Sequence, residues 1–108
     1  MNATKIQHNW ATFLKFYSDQ NEGRKTRLGV FENADDVVTD YWLESGLPLI
    51  GIDIDTHDEP PSISITVGNF THEVKNAVKL AFKFGEAGDE DGVDVSDASG
   101  RMTILRFE

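Results

Sequence analysis

The chain has 108 residues, which is the length of one ordinary domain. Hydrophobic residues make up 39% and charged residues 27%, a balance typical of a folded globular protein and not of a disordered one. Cysteine is absent, which excludes disulfides, a thiol nucleophile and zinc–thiolate sites. The net charge of −9 makes contact with phosphate backbones and anionic membranes unfavourable, so we expect neither nucleic acid nor membrane as a partner.

The negative charge is concentrated in one part of the chain. Residues 35–59 contain eight acidic residues and no Lys or Arg. Such a run is most often a solvated surface, and the alternative is an acidic patch for a partner. The apolar runs are shorter than a membrane span, and the N-terminus lacks the apolar core of a signal peptide. We therefore expect a cytoplasmic protein that needs no cofactor.

An N-terminal helix is predicted over residues 6–20. Thr4 and Gln7 have the spacing of a capping box, in which both side chains satisfy free amides at a helix start. Gly23 follows as a suitable helix stop. Five apolar residues recur at helical spacing: Ile6, Trp10, Phe13, Leu14 and Tyr17. This apolar stripe has to pack on another element, and a sheet is the expected one.

Most of the remaining chain has the pattern of strands. A β-prone run covers residues 25–32, and strict alternation covers 49–55 and 62–67. Pro48 lacks an amide donor, so it should lie at a sheet edge or a bulge. Near the C-terminus, residues 93–105 predict a hairpin whose turn contains Gly100 in the left-handed conformation.

Two segments fit either a helix or a strand. Residues 33–46 have helix punctuation at both ends, but their interior contains Val37, Val38, Tyr41 and Trp42, which favour strands. Residues 71–84 form an apolar stripe as a helix and alternate with lysines as a strand. We favour a strand in both segments.

These elements predict an α+β fold formed by a single domain over residues 1–108. One N-terminal helix packs on a mostly antiparallel sheet of about five or six strands. The helix stripe is expected to meet the inward-facing residues Ile52, Ile54, Ile63, Ile65, Ile104 and Leu105.

Several short strings occur in a recognisable order along the chain. They are Trp10 in the helix, Gly23-Arg24, the string Gly46-Leu47-Pro48-Leu49-Ile50-Gly51-Ile52, the hairpin over residues 95–101, and Ile104-Leu105-Arg106. In this order, from about residue 6 to residue 107, the chain resembles a bacterial family of small proteins known only as a domain of unknown function. The resemblance implies the α+β fold, and it implies no activity, because the family has none established.

A non-enzymatic protein-interaction module is the function that we favour from the sequence, either as a homodimer or as the acidic partner of another protein. The chain contains no nucleophile elbow, phosphate-binding glycine loop or dinucleotide fingerprint. Aromatic residues surrounded by charge are typical interface anchors. The candidate interface residues are Asp35, Asp36, Asp40, Tyr41 and Trp42.

Two alternatives remain open. The loop residues Asp53, Asp55, His57, Asp58 and Glu59 could supply oxygen and nitrogen ligands to a divalent cation. The loop lacks the spacing of an EF-hand, so a solvated face is the simpler interpretation. A hydrolase-type enzyme would need His57 or His72 as general base, oriented by a carboxylate.

Overall fold

The computed structural model describes residues 3–34, 37–57, 59–86 and 90–108. These residues form one helix and seven antiparallel strands, which confirms the α+β class, although the predicted number of five or six strands is too low. The elements are α1 (Ala3–Asn21), β1 (Lys25–Ala34), β2 (Val37–Asp55), β3 (Ser62–Val67), β4 (Phe70–Val74), β5 (Ala77–Phe84), β6 (Glu90–Asp97) and β7 (Met102–Phe107). The strand order in the sheet is β4-β3-β2-β1-β7-β6-β5.

The described residues of the first ambiguous segment are in strands, as we favoured, since residues 33–34 end β1 and residues 37–46 begin β2, and the second segment consists mostly of strands. The extra strand arises because residues 71–84 contain the end of β4 and the whole of β5. Asn76 lies in the turn between them with a φ of 57°. Asn is one of the few residue types other than Gly that enters the left-handed region readily. The alternation of apolar residues over 71–84 therefore reads as one strand, and Asn76 is the sequence feature that indicates the turn.

Strand β2 has to bend to fit inside the molecule. A straight strand of its 19 residues would be about 60 Å long, whereas the longest dimension of the protein is 35 Å. Its first half pairs with β1 as far as Pro48, and its second half pairs with β3 from Leu49 onward. Register shifts lie on both sides of Pro48. Pro48 itself pairs with Lys25, and the irregularities flank it between residues 45 and 47 and between residues 49 and 51, near the edge or bulge that its missing amide predicts.

Helix α1 packs on one face of this curled sheet, which we call the inner face. Leu14 and Tyr17 are 1% exposed, and the Tyr17 ring contacts the rings of Phe82 in β5 and Phe107 in β7. The hydroxyl of Ser18 accepts a hydrogen bond of 3.0 Å from the amide of Ile52 in β2. The helix therefore bridges the two distant parts of the sheet that curve around it.

Most of the predicted core is confirmed, with two corrections. The fully buried inner-face side chains are Leu28, Leu49, Ile63, Ile65, Val67, Val93, Val95 and Leu105. Because consecutive strand residues point to opposite faces, buried Leu105 places Ile104 on the outer face, opposite Gly29. Phe13 is also not a core residue: it is 52% exposed and rests against Phe82 at the edge of the sheet.

The C-terminal hairpin forms as predicted. Gly100 has a φ of 95°. The carboxylate of Asp97 accepts hydrogen bonds from the amide and hydroxyl of Ser99 and from the amide of Arg101. This Asx-type capping holds the turn between β6 and β7. No helix in the described part of the chain is long and apolar enough to cross a membrane.

Candidate functional site

The outer face of the sheet carries a tryptophan that is held in place and still accessible. Trp42 in β2 lies opposite Gly29 in β1, and a Cβ at Gly29 would be 2.7 Å from Cε3 of the indole. The absence of a side chain at Gly29 thus lets the ring lie close to the sheet. The guanidinium of Arg27 lies 5.1 Å from the ring centroid, within cation–π range. Trp42 is nevertheless 51% exposed.

A small hollow of about 110 Å³ adjoins this tryptophan. The strand register places Phe31 opposite Asp40, next to the Gly29–Trp42 pair, so Phe31, Asp40 and Trp42 share the outer face. Ile104 of β7 lies on the other side of Gly29 and also lines the hollow. The site therefore combines two aromatic rings and an aliphatic side chain with one exposed carboxylate.

The predicted interface residues do not all share one surface. Asp40 and Trp42 lie together on the outer face, whereas Tyr41 also lines the hollow but is paired with buried Val30, which turns its 47% exposed side chain to the inner face. Asp35 and Asp36 lie outside the described residues. Arg27, Gly29 and Phe31 were not predicted as site residues. An isolated glycine inside a β-prone run was the available signal, since it often marks a close approach.

Acidic side chains continue along the outer side of β2. Asp53 and Asp55 are exposed and alternate with the inward-facing Ile52 and Ile54. By contrast, six cationic side chains are already engaged within the protein: Lys15, Arg24, Arg27, Lys83, Arg101 and Arg106. Beside the aromatic anchor itself, Asp40 presents an exposed carboxylate and Arg27 a guanidinium.

Two of the residues proposed to bind a cation, Asp55 and His57, contact each other. The carboxylate of Asp55 lies 2.7 Å from Nδ1 of His57 and accepts a hydrogen bond from the His57 amide. These two hydrogen bonds, the amide first, lower the pKa of Asp55. Asp58 lies outside the described residues, and among the side chains that are described no three potential ligands form a cluster.

The two histidines proposed as a general base lie in different surroundings, and His57 has the expected carboxylate beside it. His57 and Asp55 form an exposed pair at the end of β2. His72 in β4 lies on the inner face, where its Nε2 is 3.2 Å from the hydroxyl of buried Thr103 in β7. A cleft of about 300 Å³ adjoins His72 and is also lined by Glu73, Lys75, Asn76, Asp97 and Arg101.

The environment of His72 predicts a pH-dependent stability. Burial lowers the pKa of His72 below its ordinary value of 6.5, and the positive charge of Arg101 lowers it further. The unfolded chain therefore binds a proton near pH 6.5, where the folded chain does not. Consequently, the contribution of neutral His72 to the free energy of unfolding is fully present above pH 6.5. It decreases as the pH drops toward the lower pKa that His72 has in the folded state.

Urea unfolding of the wild type and of His72→Gln at several pH values between 7.5 and 5 tests this prediction. Glutamine can keep a hydrogen bond to Thr103 but does not titrate. We expect the free energy of unfolding to fall more steeply with decreasing pH in the wild type than in the variant. Parallel curves would contradict it. His57→Gln, at an exposed position, serves as the control that leaves the slope unchanged.

A further cleft, of about 430 Å³, separates α1 from β2. It is lined by Lys15 and Asp19, which form an exposed ion pair, and by Ile50 and Asp53.

No protein-family model, curated protein or solved structure matches this chain. The resemblance to a bacterial family therefore stays a prediction, and the candidate function rests on the geometry alone.

Proposed function

We propose that this protein is a non-enzymatic interaction module that binds a basic partner protein through the outer face around Trp42. The proposal rests on the packing of the Trp42 ring over Gly29. This contact fixes a large aromatic side chain beside a hollow without burying it. Rigid, partly exposed tryptophans are frequent anchors of protein interfaces. The hollow lined by Phe31 and Ile104 would accept an apolar side chain of the partner.

The sign of the partner's charge follows from the charges on β2. Asp40 borders the hollow, and Asp53 and Asp55 add exposed carboxylates to the second half of the same strand, beyond the register shifts around Pro48. A net charge of −9 steers basic proteins toward the molecule and keeps identical copies apart. We therefore expect a monomer in solution at low salt, which light scattering on a size-exclusion column checks.

Fluorescence of Trp42 in a Trp10→Phe background provides the binding test, because the chain has only these two tryptophans. The probe is a lysine-rich peptide that carries a single leucine. We expect the peptide to change the Trp42 emission, with an affinity that falls at least about ten-fold between about 50 and about 200 mM salt. Asp40→Lys should weaken binding by a similar factor.

Glu22→Lys is the matched control for Asp40→Lys. It makes the same change of charge at an exposed position at the end of the α1 region. Equal affinities of the two variants would reduce the interaction to a long-range charge effect and contradict a site at Trp42. A salt-insensitive dimer in light scattering would instead favour self-association through an apolar surface.

A further inference from the structure

The structure leaves one long strand edge open. Strand β5 is at the end of the sheet order and pairs with β6 on one side. In the described part of the chain, no strand pairs with its other side, so alternate amides and carbonyls of this edge point away from the sheet after Ala77, whose amide donates to the Pro61 carbonyl. Such an edge can accept an additional strand from another chain.

Aromatic side chains flank this edge on the inner face. The ring of Phe13 in α1 lies 4.6 Å from the ring of Phe82 in β5, centroid to centroid. Phe16 lies on the same side of the helix, one turn further along, and is 68% exposed. Phe84, at the end of β5, is also exposed. Inward-facing side chains of an added strand would therefore meet an apolar surface between α1 and β5.

The outer face of the same edge is cationic. Lys79 and Lys83 alternate with the inward-facing Leu80 and Phe82, and both lysines are exposed. On the paired side of β5, the strand β6 already shows the complementary pattern, because Asp94 lies between Val93 and Val95 and its carboxylate is 3.7 Å from Nζ of Lys83. A strand on the open side would meet the same two faces of β5.

We propose that the open edge of β5 is a second interaction surface, which binds an extended segment with alternating apolar and acidic side chains. Backbone hydrogen bonds would hold the segment to β5, apolar residues would face Phe13 and Phe16, and acidic residues would face Lys79 and Lys83. This surface is distinct from the outer face around Trp42 on β2. The proposal therefore does not depend on the proposed function.

The charges of β5 disfavour a second copy of this chain at the same edge. Antiparallel pairing of two β5 strands about a two-fold axis at Ala81 would set Lys79 of each copy opposite Lys83 of the other. Like charges directly opposite each other destabilise a strand pair. Lysines on an edge strand also protect a protein against self-association. Charge complementarity thus selects an acidic partner strand over self-pairing.

The test uses an eight-residue peptide of alternating valine and glutamate, capped at both ends, added to the complete protein. Amide hydrogen exchange measures the outcome. We expect exchange of the β5 amides to slow at least about ten-fold at saturation, while the β4 amides, at the opposite edge of the sheet, stay unchanged. The same peptide with N-methyl groups on alternate residues cannot complete the hydrogen-bond ladder, so it should not slow exchange.

Variants separate the two faces of the edge. Lys79→Glu should weaken binding at least about ten-fold by charge reversal, whereas Lys75→Glu, in the preceding turn, should not. Phe16→Ala should also weaken binding, and its exposed position makes the folded state insensitive to the change. Equal binding of the N-methylated peptide, unchanged exchange in β5, or identical affinities of Lys79→Glu and Lys75→Glu would each overturn the proposal.

Discussion

Replacing Tyr17 by alanine is expected to lower the free energy of unfolding by about 3–5 kcal/mol, the usual loss for a large buried aromatic residue. Tyr17 is 1% exposed, and its ring contacts Phe82 and Phe107 on strands β5 and β7. Truncation leaves a cavity between the helix and the sheet that neighbouring side chains cannot fill. Equilibrium unfolding in urea, followed by circular dichroism, measures the loss.

Phe16→Ala is the matched control, one residue earlier in the same helix. Phe16 is an aromatic residue of similar size, but its side chain is mostly solvated. We expect its replacement to change the free energy of unfolding by no more than about 0.5 kcal/mol. Comparable losses for the two variants would show that the helix does not pack on the sheet through Tyr17.

Gly92→Ala is expected to lower the free energy of unfolding by about 3 kcal/mol. A Cβ at Gly92 in β6 would overlap the carbonyl oxygen of Leu105 in the neighbouring strand β7. This oxygen belongs to the backbone of a central strand pair, so it cannot move aside as a side chain would. The β6–β7 register has to shift instead, which thermal unfolding detects as a lower melting temperature.

Gly51→Ala supplies the comparison for Gly92→Ala. Gly51 is also a strand glycine, but the nearest atom to its Cβ would be the Ser18 hydroxyl oxygen at 3.6 Å, an ordinary van der Waals distance. Its replacement is therefore expected to change the stability by no more than about 0.5 kcal/mol. If Gly92→Ala were as well tolerated as Gly51→Ala, the close contact between β6 and β7 would be contradicted.

The fold was largely predictable because local patterns and tertiary packing agree along most of the chain. The helix stripe around Leu14 and Tyr17 and the alternation in β3 each have one consistent interpretation. The errors occur where a pattern has two interpretations. Adjacent Ile104 and Leu105 cannot both face inward, and only the pairing with β1 decides which one does. The turn at Asn76 was missed for a similar reason, since one residue is a weak signal.

The candidate site was less predictable than the fold. The acidic composition of residues 35–59 indicated Asp40 and Trp42 as candidate interface residues, and the structure places them on one face. Their neighbours Gly29 and Phe31 come from β1, and only the strand register brings them together. The strand alternation that separates Tyr41 from Trp42 depends on the same register. Long-range pairing of this kind has no local signal in a single sequence.

The bend in β2 also has a consequence for how the molecule opens. In the described part of the chain, the backbone ladder of the β3–β4 hairpin joins the rest of the sheet through the half of β2 that follows Pro48, and His72 adds a side-chain contact of 3.2 Å to the Thr103 hydroxyl in β7. Transient fraying of that half would release the hairpin as one cooperative unit. The strands on the other side, which are the first half of β2 and then β1, β7, β6 and β5, would keep their backbone hydrogen bonds. The protein is thus divided at Pro48 into a more persistent and a less persistent sub-structure.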